Sequence, residues 1–229
     1  MPYYDNPGML QVQQQTWAAF PPELRARLHV ILVDDCSPRY PALPHIVPTG
    51  VASFALYRTD KDVRWNWIFC RNLGVEMSST DWLLLTDIDH LLRVKTLRRL
   101  LDGPLAPDTA YLFSRVDLPD MIPYKPHPNT WCLTRKLYDK VGGYDETFSG
   151  FYGTDGDFRR RLEKVARATE VLPEVMMRVP REVIADASTT SYTRKEKYDR
   201  ENVRRIVGER EGVENWRPRR LSFPYTRLL

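Results

Sequence analysis

Two short apolar runs that end directly in acid constrain this chain more than anything else in it. LHVILV at 28–33 leads into Asp34-Asp35, and WLLLT at 82–86 leads into Asp87-Ile88-Asp89. A leucine- or β-branched-rich run of five or six residues reads as a buried strand. Between the two runs, residues 66–77 carry Ile68, Phe69 and Leu73 at helical spacing. Strands alternating with helices over the first hundred residues imply βαβ units and a mostly parallel sheet. In such sheets ligands bind outside the carboxyl ends of the strands, where both acidic pairs stand.

The remaining pattern is punctuated by prolines, 18 in all, clustered at 38–48, 104–107 and 119–128. Helices are expected over 9–20, stopped by Pro21-Pro22, and over 95–101, 135–141 (closed by Gly142), 155–166 and 194–207. Further strands are expected over 51–57, 109–114 and 130–133, with 170–179 extended. The division expected is a body at 1–190 and a basic helical tail at 191–229.

Charge supports that division. The net charge is +4, but residues 192–229 hold 11 basic and 6 acidic residues against 23 and 24 elsewhere. A uniformly basic nucleic-acid binder is disfavoured. Three cysteines, Cys36, Cys70 and Cys132, are too few and too scattered for a disulfide framework and fit a reducing compartment. No apolar run approaches the ~20 residues that span a bilayer, and the first residues lack the pattern of a secretory leader. The expected location is cytoplasmic, with the basic tail as a candidate contact for an anionic membrane surface.

Three clusters carry chemistry. In an extended segment Asp87 and Asp89 share a face while Ile88 turns to the core, and two such carboxylates can hold Mg²⁺ or Mn²⁺. The same residues also make an ordinary acidic turn. Asp34-Asp35-Cys36-Ser37-Pro38 can accept hydrogen bonds from a base or ribose, or merely form a turn. In the third cluster, 142–158, Thr154 and Asp157 form a near capping box. Asp155, at a helix N-terminus, is a candidate general base whose pKa the helix dipole would lower.

Together these stretches resemble the GT-A glycosyltransferases, chiefly the family-two type, with echoes of the β-galactosyl and polypeptide N-acetylgalactosaminyl transferases. The matching segments are VDDCSP (33–38), RNLGVEMSSTDWLLLTDIDH (71–90) and GGYDETFSGFYGTDGDF (142–158). The resemblance implies a Rossmann-like sheet flanked by helices. It implies inverting transfer from a nucleotide sugar, a UDP-sugar, to a glycan, lipid-linked or protein acceptor, with Mn²⁺ or Mg²⁺. Asp35, less surely Asp34, would bind the nucleobase. Arg64 would contact the donor, and Arg71 either the donor or a structural ion pair. Asp87 and Asp89 would hold ribose, metal and diphosphate. Asp155 would be the base, and Trp131, Gly143 and Tyr152 would wall the sugar and acceptor pocket, with core packing the competing role for Trp131.

Relatives usually carry an apolar strand ahead of the segment matching residues 2–6, so the first strand is expected to be missing. They often have Glu where Thr154 stands and a metal-binding His downstream. No His follows His127, which leaves Asp186 as a weak substitute. His90 is expected exposed and turned away from Asp89. Arg194 or Lys195 could clamp a diphosphate. Two other readings stay open: a degenerate GT-A module that binds without turnover, and a nucleic-acid binder working through the tail.

Overall fold

The computed structural model describes residues 1–189, 198–210 and 212–229. In chain order its elements are β1 (Pro2–Tyr3), α1 (Pro7–Ala18), α2 (Pro22–Arg25), β2 (His29–Asp34), β3 (Ser53–Thr59), α3 (Trp67–Glu76), β4 (Trp82–Leu85) and β5 (His90–Leu92). There follow α4 (Val94–Asp102), β6 (Thr109–Asp117), β7 (Ile122–Tyr124), β8 (Trp131–Thr134), α5 (Arg135–Val141), α6 (Asp155–Val165), β9 (Ala168–Arg178), α7 (Tyr198–Arg210) and β10 (Tyr225–Arg227). The elements the sequence did not announce are β1, β5, β7, β10 and α2, each of four residues or fewer. They are too short to show a period.

Local chemistry explains the helix ends. Pro7 opens α1, and the Asp186 carboxylate accepts from the backbone N–H of Gly8 (2.6 Å) and Met9 (3.0 Å). Asp186 is thus a helix cap, satisfying donors that an α-helix leaves open, and not a third metal ligand. Thr134 caps α5 by accepting from Leu137 N, and Gly142 closes it at φ 87°, a left-handed conformation suited to glycine.

Two sheets form, in the orders β1-β2-β3-β10 and β4-β8-β6-β9-β5, with β7 beside β6. Among the described residues, β1/β2, β2/β3 and β6/β9 are parallel, while five pairings are antiparallel. The expected mostly parallel arrangement is therefore mixed. The βαβ logic holds through β3, but β8 then inserts antiparallel between β4 and β6, and β10 lies antiparallel on β3. Within the segment that matches relatives, residues 2–3 form β1, which pairs Pro2 with Val33 and Tyr3 with Asp34 along β2.

The C-terminal part wraps the body. Ile206 of α7 packs with Val203 and Val207 against the core that holds Tyr144 and Phe158. Arg210 pairs with Asp145 and Asp157, and the Glu146 carboxylate accepts from Leu221 N and Ser222 N at 2.7 and 2.6 Å. Arg194 and Lys195 lie outside the described residues. Among the described residues no helix is long and apolar enough to cross a membrane.

Candidate active site

The chain just past β2 and β4 meets the N-terminus of α6 around one cleft of about 570 Å³. Its walls include Asp35, Arg64, Asp87, Asp89, Tyr152 and Asp155. Those six sequence-predicted residues are brought together.

Three are not. Asp34 is fully buried and accepts from Ser37 N (2.8 Å), Ala42 N (2.9 Å) and Arg58 Nη1 (3.0 Å). As neighbours at a strand end, Asp34 and Asp35 point to opposite sides, so Asp34 organises the following loop and only Asp35 reaches the cleft. Trp131 is 0% exposed in the core, its Nε1 donating to Pro128 O; β8 is buried along its whole length and puts no residue on the wall of this cleft. Gly143, at φ 71°, is buried where a Cβ would press on Asn72 and Tyr138. It is a packing glycine.

The acidic turn after β4 is held from both sides. Gln13 of α1 donates to Ile88 O and His90 O, both at 2.8 Å, and Val179 N donates to Asp89 O at 2.8 Å. Asp87 and Asp89 border the cleft while Ile88 packs with Leu32 and Leu91, so the expected alternation survives in a turn. Burial alone would raise the Asp87 pKa, but the Arg71 guanidinium, 2.5 Å away, outweighs it and holds the carboxyl below the usual range. Arg71 is itself buried, bonded to Asn129 O and to Tyr144 Oη (3.0 Å) and stacked 4.9 Å from the Trp67 ring. Of its two expected roles, the structure shows the ion pair with Asp87.

His90 departs from expectation. It is 2% exposed, and its Nδ1 lies 2.7 Å from Asp89 Oδ1. Residue 90 begins β5 beneath α1, which covers it. Asp87, Asp89 and His90 each offer one ligand atom, all within 4.8 Å of one another, and His90 Nε2 is buried with no hydrogen-bond partner. The two carboxylates suit Mn²⁺ or Mg²⁺ in kind, while an imidazole is a ligand more usual for Zn²⁺ or iron, so the set fits a divalent cation through its oxygens.

Asp155 opens α6, and its Oδ1 accepts from Asn129 Nδ2 at 2.7 Å. Burial raises its pKa against the Asn129 bond, and the nearby Asp87 charge adds to the rise. The helix dipole expected to lower it is outweighed. The capping box does not form: the Thr154 side chain makes no cap bond, and Asp157 is engaged by Arg161 and Arg210. Asp35, 6% exposed, is pushed up to about 7 by burial, although Asn66 N donates to it at 3.2 Å.

Sequence reasoning passed over His127, Asn129, Asp62, Trp65 and Trp67, all on the cleft wall. His127 Nδ1 is 3.6 Å from Asp87 Oδ2, its ring 4.6 Å from that of His90, and burial lowers its pKa to about 4. It is therefore neutral at pH 7. The proline-rich stretch before β8 hid both His127 and Asn129. Trp65 packs against Tyr152 with the rings tilted at 52° and their centroids 5.5 Å apart.

The sequence matches no family model and no curated protein. Solved structures do match. The 1–349 fragment of S. aureus TarS in complex with UDP-GlcNAc aligns with 91% of this chain and 64% of its own at TM-score 0.65 and 15% identity. A second structure of that fragment aligns with 81% and 61% at TM-score 0.59 and 15% identity. GalNAc-T7 with UDP, GalNAc and Mn²⁺ aligns with 70% of this chain and 39% of its own at TM-score 0.50 and 12% identity. This chain thus spans less than two thirds of the length of either TarS chain. The class that fold and topology define is the GT-A fold of glycosyltransferases.

Proposed function

We propose that this chain transfers a sugar from a UDP-sugar to an acceptor hydroxyl with inversion of configuration, using Asp155 as general base. The observation that carries the reading is the single cleft in which Asp35, the Asp87–Asp89 pair and Asp155 meet. The solved TarS complex with UDP-GlcNAc supports the donor class, since it shares the fold.

The cleft holds five carboxylates, those of Asp35, Asp62, Asp87, Asp89 and Asp155, against Arg64 and the buried Arg71. An anionic diphosphate would be repelled from such a surface without a counter-charge. Asp87 and Asp89, with His90 beside them, would hold Mn²⁺ or Mg²⁺, which when bound neutralises charge on the departing nucleoside diphosphate. Asp35 accepts the uracil N3–H. Arg64 lies on the same wall and faces the donor phosphates. Asn129 fixes the Asp155 carboxylate, which takes the proton of the attacking hydroxyl. Trp65 and Tyr152 offer an aromatic face to a sugar ring.

The raised Asp155 pKa suits this role, because a general base works best when its pKa approaches the working pH. The test is a panel of nucleotide sugars with Mn²⁺ and mixed acceptors, read as released nucleoside diphosphate. UDP release from one donor, lost in Asp155→Asn, is expected. Tight UDP binding with no turnover of any donor would instead support a degenerate binding module.

A further inference from the structure

The groups that meet in the cleft come from separate stretches of chain. Asp87 and Asp89 follow β4, Asn129 precedes β8, and Asp155 opens α6. Each stretch is placed by its own strand or helix end. None of those ends fixes its distance from the next.

One side chain links all three. Arg71 lies in the middle of α3 and is 2% exposed. Its Nη2 donates to Asp87 Oδ1 at 2.5 Å. Its Nη1 donates to the backbone carbonyl of Asn129 and to Tyr144 Oη, the latter at 3.0 Å. The Asn129 side chain in turn donates to Asp155 Oδ1 at 2.7 Å. A second route reaches the same helix, because the Tyr144 ring stacks on Phe158 of α6 at 4.1 Å and 21°. Trp67, about one turn earlier on α3, stands 4.9 Å from the guanidinium and 5.2 Å from the Tyr144 ring. The fork is thus held from below as well as at its tips.

The arrangement asks for arginine in particular. A guanidinium presents its donors in a fixed planar fork. Meeting Asp87 with one nitrogen and Asn129 with the other therefore sets the spacing of the two. A lysine ammonium would keep a charge beside Asp87, but it is a single point on a flexible stem. Charge balances Asp87; the fork ties Asp87 to the loop that carries Asn129.

Resting on the catalytic reading above, we propose that Arg71 is a positioning residue: its guanidinium joins Asp87 to Asn129 and, through the Asn129 amide, holds the Asp155 carboxylate at a fixed distance from the donor-side acids. Arg71 acts through Asn129 and not on the substrate. A reacting group displaced by about 1 Å can cost ~10²-fold in rate, so the spacing is worth fixing.

The test is a double-mutant cycle of Arg71→Lys and Asn129→Ala. It reads kcat and KM for the donor that the wild type turns over, UDP affinity with Mn²⁺ by calorimetry, and Tm. Arg71→Lys keeps a cation beside Asp87, so UDP affinity and donor KM should stay within about threefold of wild type while kcat falls roughly 10–100-fold. Asn129→Ala should lower kcat to a similar degree. With Asn129 truncated the route to Asp155 is cut, so adding Arg71→Lys should cost less than about threefold more, a non-additive pair. Losses in kcat that multiply across the cycle, as a merely structural role predicts, would overturn the proposal. So would Arg71→Lys losing UDP affinity with kcat unchanged. Where Arg71→Lys does not fold, Tyr144→Phe decides. It keeps the ring on Phe158 and removes only the hydroxyl that Arg71 meets. A fall in kcat at constant KM supports the role, and unchanged kcat removes it. Failure of the catalytic reading looks different. Asp155→Asn would then transfer sugar at the wild-type rate, or the wild type would turn over no donor, and this inference would fall with it. An inactive Asp155→Asn beside a multiplicative cycle sinks the positioning role alone.

Discussion

Asp145, Glu146 and Asp157 form one buried acidic group in this molecule; Asp35, Asp87, Asp89 and Asp155 form a second, partly exposed to the cleft. In the first, every carboxylate is heavily partnered. Asp145 accepts from Thr147 N, Thr147 Oγ1 and Arg219 N and pairs with Arg210. Glu146 accepts from Asn72, Leu221 N and Ser222 N, and Asp157 is held by Arg161 and Arg210. In the cleft, Asp155 takes one bond from Asn129 and Asp89 one from His90, while Asp87 pairs with Arg71 and Asp35 accepts from Asn66 N and Thr59 Oγ1. Nearby Trp67 Nε1, Asn129 Oδ1, His90 Nε2 and Thr154 Oγ1 are buried without partners. Buried polar groups are normally satisfied; the first group holds structure, and it is the second that the proposed function uses.

The sharpest way to break this contrast is Asp155→Asn. Transfer should fall by about 10²–10⁴-fold, the usual contribution of a general base, while Tm holds. Sugar transfer at the wild-type rate would remove the base assignment. The wild-type pH profile of kcat/KM should rise with pH, with its inflection above the usual carboxylate range, because Asp155 acts ionised and its pKa is raised.

Next in size is Arg210→Ala. It leaves Asp145, 2% exposed, without its cation. Breaking one side of a buried pair costs about 3–5 kcal/mol, readable by urea unfolding. Turnover per folded molecule should be unchanged, and a large selective loss of kcat would blur the line between the two groups.

The smallest effect separates two adjacent residues. Asp35→Asn should weaken UDP binding by roughly tenfold or more, the worth of a charge-assisted hydrogen bond, with little loss of Tm. Asp34→Asn should lower Tm and leave UDP affinity alone. Asp35, pushed up to about 7 by burial, must be ionised to accept the uracil N3–H. UDP affinity should therefore drop as pH falls below 7, with proton release on binding near pH 7. Calorimetry in two buffers of different ionisation enthalpy measures both.

How far the sequence carried the reading follows from the same contrast. The acids after β2 and β4 were legible because a strand period fixes where its end points. Which of Asp34 and Asp35 faces outward was not, because that depends on the loop folding back to Ala42. Gly143 lay in a matching stretch and Trp131 between two of them, yet residues behind the pocket pack the core and cannot be told apart from lining by composition. His127 and Asn129 sit in a proline-broken loop with no period to place them. The antiparallel insertion of β8 and the return of β10 are long-range pairings, which local pattern does not encode.

The Gln13 and Gln14 side chains lie in a run, VQQQ, that reads as the wet face of a helix. Both are 2% exposed. Gln13 gives its amide to two carbonyls of the acidic turn, and Gln14 brackets His45 O and Val47 N. In a saturation mutagenesis scan these two positions would score among the least tolerant in the molecule. Glutamate would lose the donors, and asparagine would fall one methylene short. Mutational intolerance here would mimic the signature of a substrate contact at residues that line no part of the cleft.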